Sequence, residues 1–381
     1  MVYLDNAATT WPKPHTVTNS MRGALEKFGA NPGRSSYRMA ATAAEKVFEA
    51  RSSLSDFFGC SGPENIIFTL NCTHALNMVL KGTLTRGDHV IVSSLEHNAV
   101  MRPVHDMAKR GVSYSAAHVF PCDFDKTLQS FENLIRPNTK AIVCMHASNV
   151  FGIRLPIEQI GVLCKTHGLL FVVDAAQSAG VLPIQVEHFN IDFLCVPGHK
   201  GLYGPSGTGF IAAGKNAPAL ATIIEGGTGN NSLSYDQPAE LPERLESGTI
   251  NLPGIIGLKS GVDFVKSHGI DNIRRDEARL TSVCYSELSV MDGVELYMPP
   301  FDDSFFVPLL SFNLKDLGSE EAASALSEQG IAVRAGLHCC PAAHKAFGTA
   351  TSGTVRICPS VYTTKANLEY FVNCVRYILK N

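Results

Sequence analysis

The chain has 381 residues, 45% hydrophobic and 18% charged, with a formal net charge of −3. That length suggests two domains, one large and one small, with ample room for a core. The charge balance leaves no basic excess for nucleic acid, and no apolar run approaches the roughly 20 residues that span a bilayer. The opening "MVYLDNAATTWPKP" lacks a signal-peptide pattern, which points to the cytoplasm.

The first long element is "YRMAATAAEKVFEARSSLSDFFG", whose apolar spacing predicts a helix ended by Gly59. From about residue 64 to 214 short apolar runs alternate with helical patterns. The predicted strands are "ENIIFT", "HVIVSS", "TKAIVCMHAS", "LLFVVDAAQ", "DFLCVPG" and "GTGFIAAG". Amphipathic stretches such as "HALNMVLKGTL" and "NAVMRPVHDMAKRG" separate them, which argues for a mostly parallel sheet covered on both faces. Residues 221–253 are rich in Gly, Asn, Ser and Pro and read as a long functional or interfacial loop. A helix follows, then a different rhythm. "FFVPLLSFNL", "IAVRAGLHC" and "GTVRICPS" read as strands, with helices around 319–329 and 364–379, as in a smaller α+β domain.

In an open α/β sheet, ligands gather at the carboxyl ends of the strands. Three predicted strand ends carry polar residues: Asp174 and Gln177; His199 and Lys200; His146, Ser148 and Asn149. An acid, an amide and a lysine converging there suit pyridoxal phosphate. The lysine forms a Schiff base, the carboxylate keeps the pyridine nitrogen protonated, and the amides bond the ring oxygen. "FTLNCTHALNMV" supplies a strand, a turn with Thr73 and a helix N-terminus for the phosphate. "SLEHNAV" places His97 where an imidazole can stack on the ring. Any one of these residues taken singly is weak evidence; an acid at a strand end is often only a helix cap.

The eleven cysteines, odd in number and scattered, should be mostly free thiols, and most sit in apolar surroundings. Cys339 and Cys340, in "RAGLHCCPAAHKAFG", differ because their neighbours are polar. A reactive thiol, a metal corner and ordinary small buried residues compete as readings. His338 and His344 are the available further ligands, but no CxxC partner exists elsewhere, so no metal is expected.

The motifs "YLDNAATT", "EHNAV", "HASNVFG", "VDAAQSAG", "GHKGLYGPSGTGF", "ESGTINLPGIIGL" and "GIAVRAGLHC" together resemble the cysteine desulfurase family. This is the class V branch of fold-type I pyridoxal-phosphate enzymes, and the resemblance covers nearly the whole chain. The final Arg-x-Gly-x-His-Cys is similar to group II desulfurases and selenocysteine lyases. The resemblance implies a seven-stranded, mostly parallel sheet in a large domain at 15–253, and a small α+β domain at 254–381 that includes residues 1–14 and carries the catalytic cysteine.

It further implies Lys200 as the Schiff-base lysine, Asp174 as partner of the ring nitrogen and Gln177 of the ring oxygen. His97 is then the stacking imidazole and acid/base group. Thr73 and His199 bind phosphate, with Cys72 beside them, and Thr249 reaches the phosphate of a neighbouring subunit in a homodimer. Asn149 and Arg356 hold the substrate, Arg356 forking onto its carboxylate, and Arg334 lies nearby. Cys339 matches the family's nucleophile. A thiolate there takes sulfur from L-cysteine, leaving alanine and a persulfide for an acceptor protein or small molecule. Arg334 and His338 are expected to supply the electropositive setting.

Some positions depart from the family. Cys340 stands where a small non-thiol residue is usual, and is either a bland replacement or a relay for the persulfide. Pro197 replaces a serine, Cys72 a threonine, and Gly201 looks inserted after the lysine. The competing activity is a selenocysteine lyase acting on L-selenocysteine; a further alternative is another class V activity, against which Cys339 argues. A non-catalytic scaffold is the alternative from a different class, and retention of Lys200, Asp174 and Arg356 argues against it.

Overall fold

The computed structural model describes residues 1–33, 37–229 and 233–380. Its elements in chain order begin with β1 (Val2–Tyr3), α1 (His15–Lys27), α2 (Arg38–Phe58), β2 (Ile66–Thr69), α3 (Cys72–Thr83), β3 (His89–Ser93) and α4 (Asn98–Ala108). Then come β4 (Ser113–Ala117), α5 (Phe124–Glu132), β5 (Thr139–Met145), α6 (Ile157–His167), β6 (Leu170–Asp174), β7 (Phe193–Pro197) and β8 (Gly209–Ala213). The remainder holds α7 (Leu252–His268), α8 (Ile270–Ser289), β9 (Val294–Leu296), β10 (Leu310–Leu314), α9 (Ser319–Glu328), β11 (Ile331–Ala332), α10 (Pro341–Ala346), β12 (Val355–Ile357) and α11 (Lys365–Ile378).

Seven strands form one sheet in the order β2-β8-β7-β6-β5-β3-β4. Strand β8 pairs antiparallel with both neighbours, and the other described pairings are parallel. Every residue of β2, β3, β7 and β8 is buried, because helices cover both faces. Each fully buried aliphatic side chain contributes roughly 2 kcal/mol. The edge strand β4, which reads "SYSAA", is mostly exposed. Helix α2 turns Ala40, Ala43, Val47, Ala50, Leu54 and Phe58 inward at helical spacing and stops at Gly59, which is left-handed (φ 64°).

Strands β9, β10 and β12 form a separate antiparallel sheet. It shares a core with α8, α9 and α11 through Cys284, Leu288, Leu326, Phe371 and Val375, together with Leu4. Strand β1 pairs in parallel with β11. Residues 215–251, where described, contain neither helix nor strand. They are anchored by Glu246, which pairs with the buried Arg51 and accepts from the Phe68 amide at 2.5 Å. Among the described residues, no helix is long and apolar enough to cross a membrane.

Candidate active site

Parallel strands deliver their carboxyl ends to one edge of the sheet, and the candidate residues meet there. A cleft of about 520 Å³ is lined by Asn71, Cys72, Thr73, His97, Asn149, Asp174, Gln177, His199 and Lys200, among others. Strands β6 and β7 end at Asp174 and Pro197, and Lys200 follows three residues later. Strand β5 leads to Asn149, and α3 and α4 begin at the cleft with Cys72 and Asn98.

Asp174 is buried, and its Oδ1 accepts from the Ala176 amide at 2.9 Å and the Cys72 thiol at 3.4 Å. Burial lowers the Lys200 amine below its ordinary range, partly opposed by the Asp174 carboxylate. His97 caps α4: the Ala99 amide donates to its Nδ1 at 3.0 Å, which leaves the ring proton on Nε2 in the neutral form. Desolvation lowers the His97 pKa. Gln177 donates to the Ala7 carbonyl at 3.0 Å. His199 is pushed down to about 4 by burial and Lys200, and its Nδ1 has no partner. Thr73 is exposed in the first turn of α3 and lines the cleft with Asn71 and Cys72.

The glycine after the lysine has a steric cause. A Cβ on Gly201 would stand 2.4 Å from the Ala179 carbonyl oxygen, and one on Gly180 would stand 2.1 Å from that of Gly201. Two backbones touch here, and only glycines permit it. The Tyr203 amide closes the turn onto the Lys200 carbonyl at 2.8 Å.

Four groups at the site were not singled out by sequence. Lys13 donates to the His199 carbonyl at 2.7 Å, and Thr10 Oγ1 to the Lys200 carbonyl at 3.1 Å, so residues 9–13 strap the lysine turn. Asp5 pairs with Arg356 at 2.8 Å. Glu96, next to His97, is wholly buried; its carboxyl accepts from Ser93 Oγ and the Met145 amide and is pushed up to about 8 by desolvation. Asp5, Thr10 and Lys13 lie in or beside the "YLDNAATT" motif, and Glu96 opens "EHNAV".

Arg356 is 2% exposed and donates to the Asn149 carbonyl and to Asp5, both at 2.8 Å. Each terminal nitrogen is thus already engaged once and keeps a second hydrogen for a further acceptor. Asn149 donates to the His338 carbonyl at 2.8 Å and has a free Oδ1.

Cys339 is exposed, with Arg334 Nη2 at 3.9 Å from its sulfur. It is not part of the cleft wall but is tied to its rim, where the Asn98 amide donates to the Cys339 carbonyl at 2.9 Å. The expected strand at 331–339 stops at Ala332. Gly336, His338 and Cys339 all have positive φ (90°, 48° and 56°), and each non-glycine residue so placed costs of order 1 kcal/mol.

One expectation is corrected, and one of the two open readings of Cys340 is set aside. His338 does not supply positive charge: it is buried, its Nε2 donates to the Thr354 carbonyl at 3.0 Å, and burial pushes it down to about 2, so it is neutral. The Cys340 thiol does not stand beside that of Cys339 in solvent; it is wholly buried, 3.0 Å from the Leu95 carbonyl and 3.3 Å from that of Glu96, where a persulfide relay has no access. Thr249, expected to serve a neighbouring subunit's phosphate, lies outside its own chain's cleft: it lines a separate broad cavity and accepts from Asn31 at 3.2 Å.

The doubly covered sheet, with a lysine and a carboxylate at its strand ends, defines a class of α/β enzyme. Residues 2–371 match the model of the aminotransferase class-V family, and the chain belongs to that family. A probable cysteine desulfurase from Methanothermobacter thermautotrophicus is 33% identical, over 97% of this chain and 92% of that relative. A cysteine desulfurase from Haloferax volcanii is 29% identical, over 98% and 88%. Among solved structures, an apo cysteine desulfurase from Thermococcus onnurineus superposes with a TM-score of 0.91 at 32% identity, covering 100% of this chain and 94% of that one. A cysteine desulfurase from Escherichia coli gives 0.89 at 26%, with the same coverage.

Proposed function

We propose that this protein is a pyridoxal-phosphate-dependent cysteine desulfurase, with Cys339 as the sulfur acceptor. The observation that carries the reading is the exposed Cys339 thiol beside Arg334, tied to the rim of a cleft that holds Lys200 and Asp174 together. The cofactor fits the residues present. The unpartnered His199 Nδ1 and the α3 N-terminus with Thr73 suit its phosphate, Asp174 suits a protonated ring nitrogen, and Lys200 suits its aldehyde. Bound there, pyridoxal phosphate supplies an electron sink for the substrate carbon skeleton.

The chain's own groups supply the rest. Arg356, oriented by Asp5, holds the substrate carboxylate, with Asn149 Oδ1 free to accept from the amino group. Lys200, its pKa lowered, accepts and returns a proton at Nζ, and His97 presents Nε2–H over the cleft. The Cys339 thiolate attacks the substrate sulfur. An S–S bond forms and the C–S bond breaks, its electron pair remaining on the three-carbon fragment. That fragment takes up protons and leaves as alanine. Arg334 stands beside the Cys339 sulfur at 3.9 Å. A homodimer is supported by the exposed position of Thr249 on the broad cavity, away from its own chain's cleft. The short, tied loop around Cys339 favours an acceptor that comes to it.

The test is alanine release from L-cysteine and L-selenocysteine by the parent, Cys339→Ala and Lys200→Ala. The reading requires that Cys339→Ala stop turnover of cysteine while keeping the visible absorbance of the loaded protein, and that Lys200→Ala lose both. Selenium release by Cys339→Ala, with little use of cysteine by the parent, would instead make the enzyme a selenocysteine lyase.

A further inference from the structure

The adjacent cysteines share a sequence position in name only. Cys339 is exposed, and Cys340 is buried with its sulfur against the carbonyls of Leu95 and Glu96. Those carbonyls belong to the strap of residues 95–98 that leads from β3 into α4 and carries His97. The same strap reaches back through the Asn98 amide to the Cys339 carbonyl at 2.9 Å. Two hydrogen-bonded links therefore join the strap to consecutive residues of the cysteine loop, one running each way. The loop needs holding, because His338 and Cys339 both sit in the left-handed region that non-glycine residues avoid.

We propose that Cys340 is a positioning residue: its S–H, donating to the Leu95 and Glu96 carbonyls, fixes the loop that carries Cys339 relative to His97. The proposal rests on the reading of Cys339 as nucleophile. Burial pushes the Cys340 thiol up to about 12, so it stays protonated and is a donor, not a second nucleophile. Glu96 supports the same strap from behind, through its bonds with Ser93 and the Met145 amide. An alanine at 340 would leave two buried carbonyls without this donor, whereas a serine would keep one.

The experiment compares the parent with Cys340→Ala and Cys340→Ser in two measurements. The first is hydrogen exchange at the Asn98 amide, which reports the strap-to-loop link whatever the enzyme does, with exchange in β5 and β6 as a check on global folding. The second is steady-state alanine release from L-cysteine. Cys340→Ala is expected to speed Asn98 exchange by at least about tenfold while β5 and β6 stay protected. Its kcat should fall roughly tenfold to a hundredfold, with KM little changed, since a misplaced nucleophile lowers the rate of the step and not the grip on substrate. Cys340→Ser is expected to restore both.

Unchanged exchange and turnover in Cys340→Ala would make the thiol mere filler and overturn the proposal. Restored exchange with turnover still lost in Cys340→Ser would put the sulfur itself in the transfer path, which also overturns it. No turnover of cysteine by the parent would defeat the desulfurase reading, and the exchange arm would still decide whether Cys340 holds the loop.

Discussion

Arg356 and Asp5, 351 positions apart in the chain, form a 2.8 Å ion pair in which the arginine is 2% exposed and the aspartate 19%. The pair crosses from β12 to the residues after β1 and, with the Asn149 carbonyl, sets the plane of the guanidinium.

Asp5→Ala therefore leaves a buried cation without its partner. Breaking such a pair costs about 3 kcal/mol. Urea unfolding should show a loss of that order, and KM for the amino acid should rise more than kcat falls. Asp5→Asn keeps an acceptor and should lie between. An unchanged KM would remove Arg356 from substrate binding.

Glu246 anchors the irregular segment 215–251 to Arg51 and the end of β2. Glu246→Gln keeps the shape and loses the charge, leaving Arg51 buried and uncompensated. We expect about 3 kcal/mol of destabilisation and earlier proteolysis within residues 221–250 than in the parent. Equal protease resistance would mean that the segment is held by other contacts.

Stability should depend on pH from two sides. The Glu96 carboxyl has a folded pKa of about 8 against an ordinary 4.5. Between those values the folded state binds more protons than the unfolded one, so this contribution is present below pH 4.5 and is lost as pH rises to about 8. Conversely, His338 and His146 are held down to about 2 and 3, against an ordinary 6.5. Their contribution is present above 6.5 and is lost as pH falls towards those values. Glu96→Gln should gain stability relative to the parent between pH 5 and 9, by at most roughly 5 kcal/mol. Parallel urea midpoints for the two proteins across that range would sink the argument.

Gly201→Ala forces a methyl to within 2.4 Å of the Ala179 carbonyl, and the turn carrying Lys200 must move. We expect a folded protein whose visible absorbance on pyridoxal phosphate is weakened and whose turnover falls about a hundredfold. Normal activity would show that the two backbones can separate cheaply.

The sheet was legible because its central strands are buried on both faces and read as unbroken apolar runs bounded by turns. Strand β4 was missed: "SYSAA" lies on an exposed edge and has no apolar signal to read. The reading of 331–339 as one strand failed because three positive-φ residues, two of them not glycine, turn the chain after β11. Lys200, Asp174, Gln177 and His97 were visible as polar residues following apolar strands. The charge state of His338 was not, since it depends on burial against Thr354 and beside Arg356, contacts made only by the folded chain. Asp5 and Lys13 escaped for a related reason: their partners are distant in sequence, and nothing local marks them.

The segment from Val2 to Lys13 runs beside β11, bonds Arg356 and ties down the carbonyls of His199 and Lys200. During synthesis these residues emerge well before the partners they serve, and β12 follows some 350 positions later. The catalytic pocket thus cannot be finished while the chain is still growing. A carboxyl-truncated product can form the large sheet and the Thr10 and Lys13 contacts over the lysine turn, but it lacks Arg356 and so the pair with Asp5. On the proposed function, it is the Arg356 side of the site, and not the lysine turn, that waits for β12.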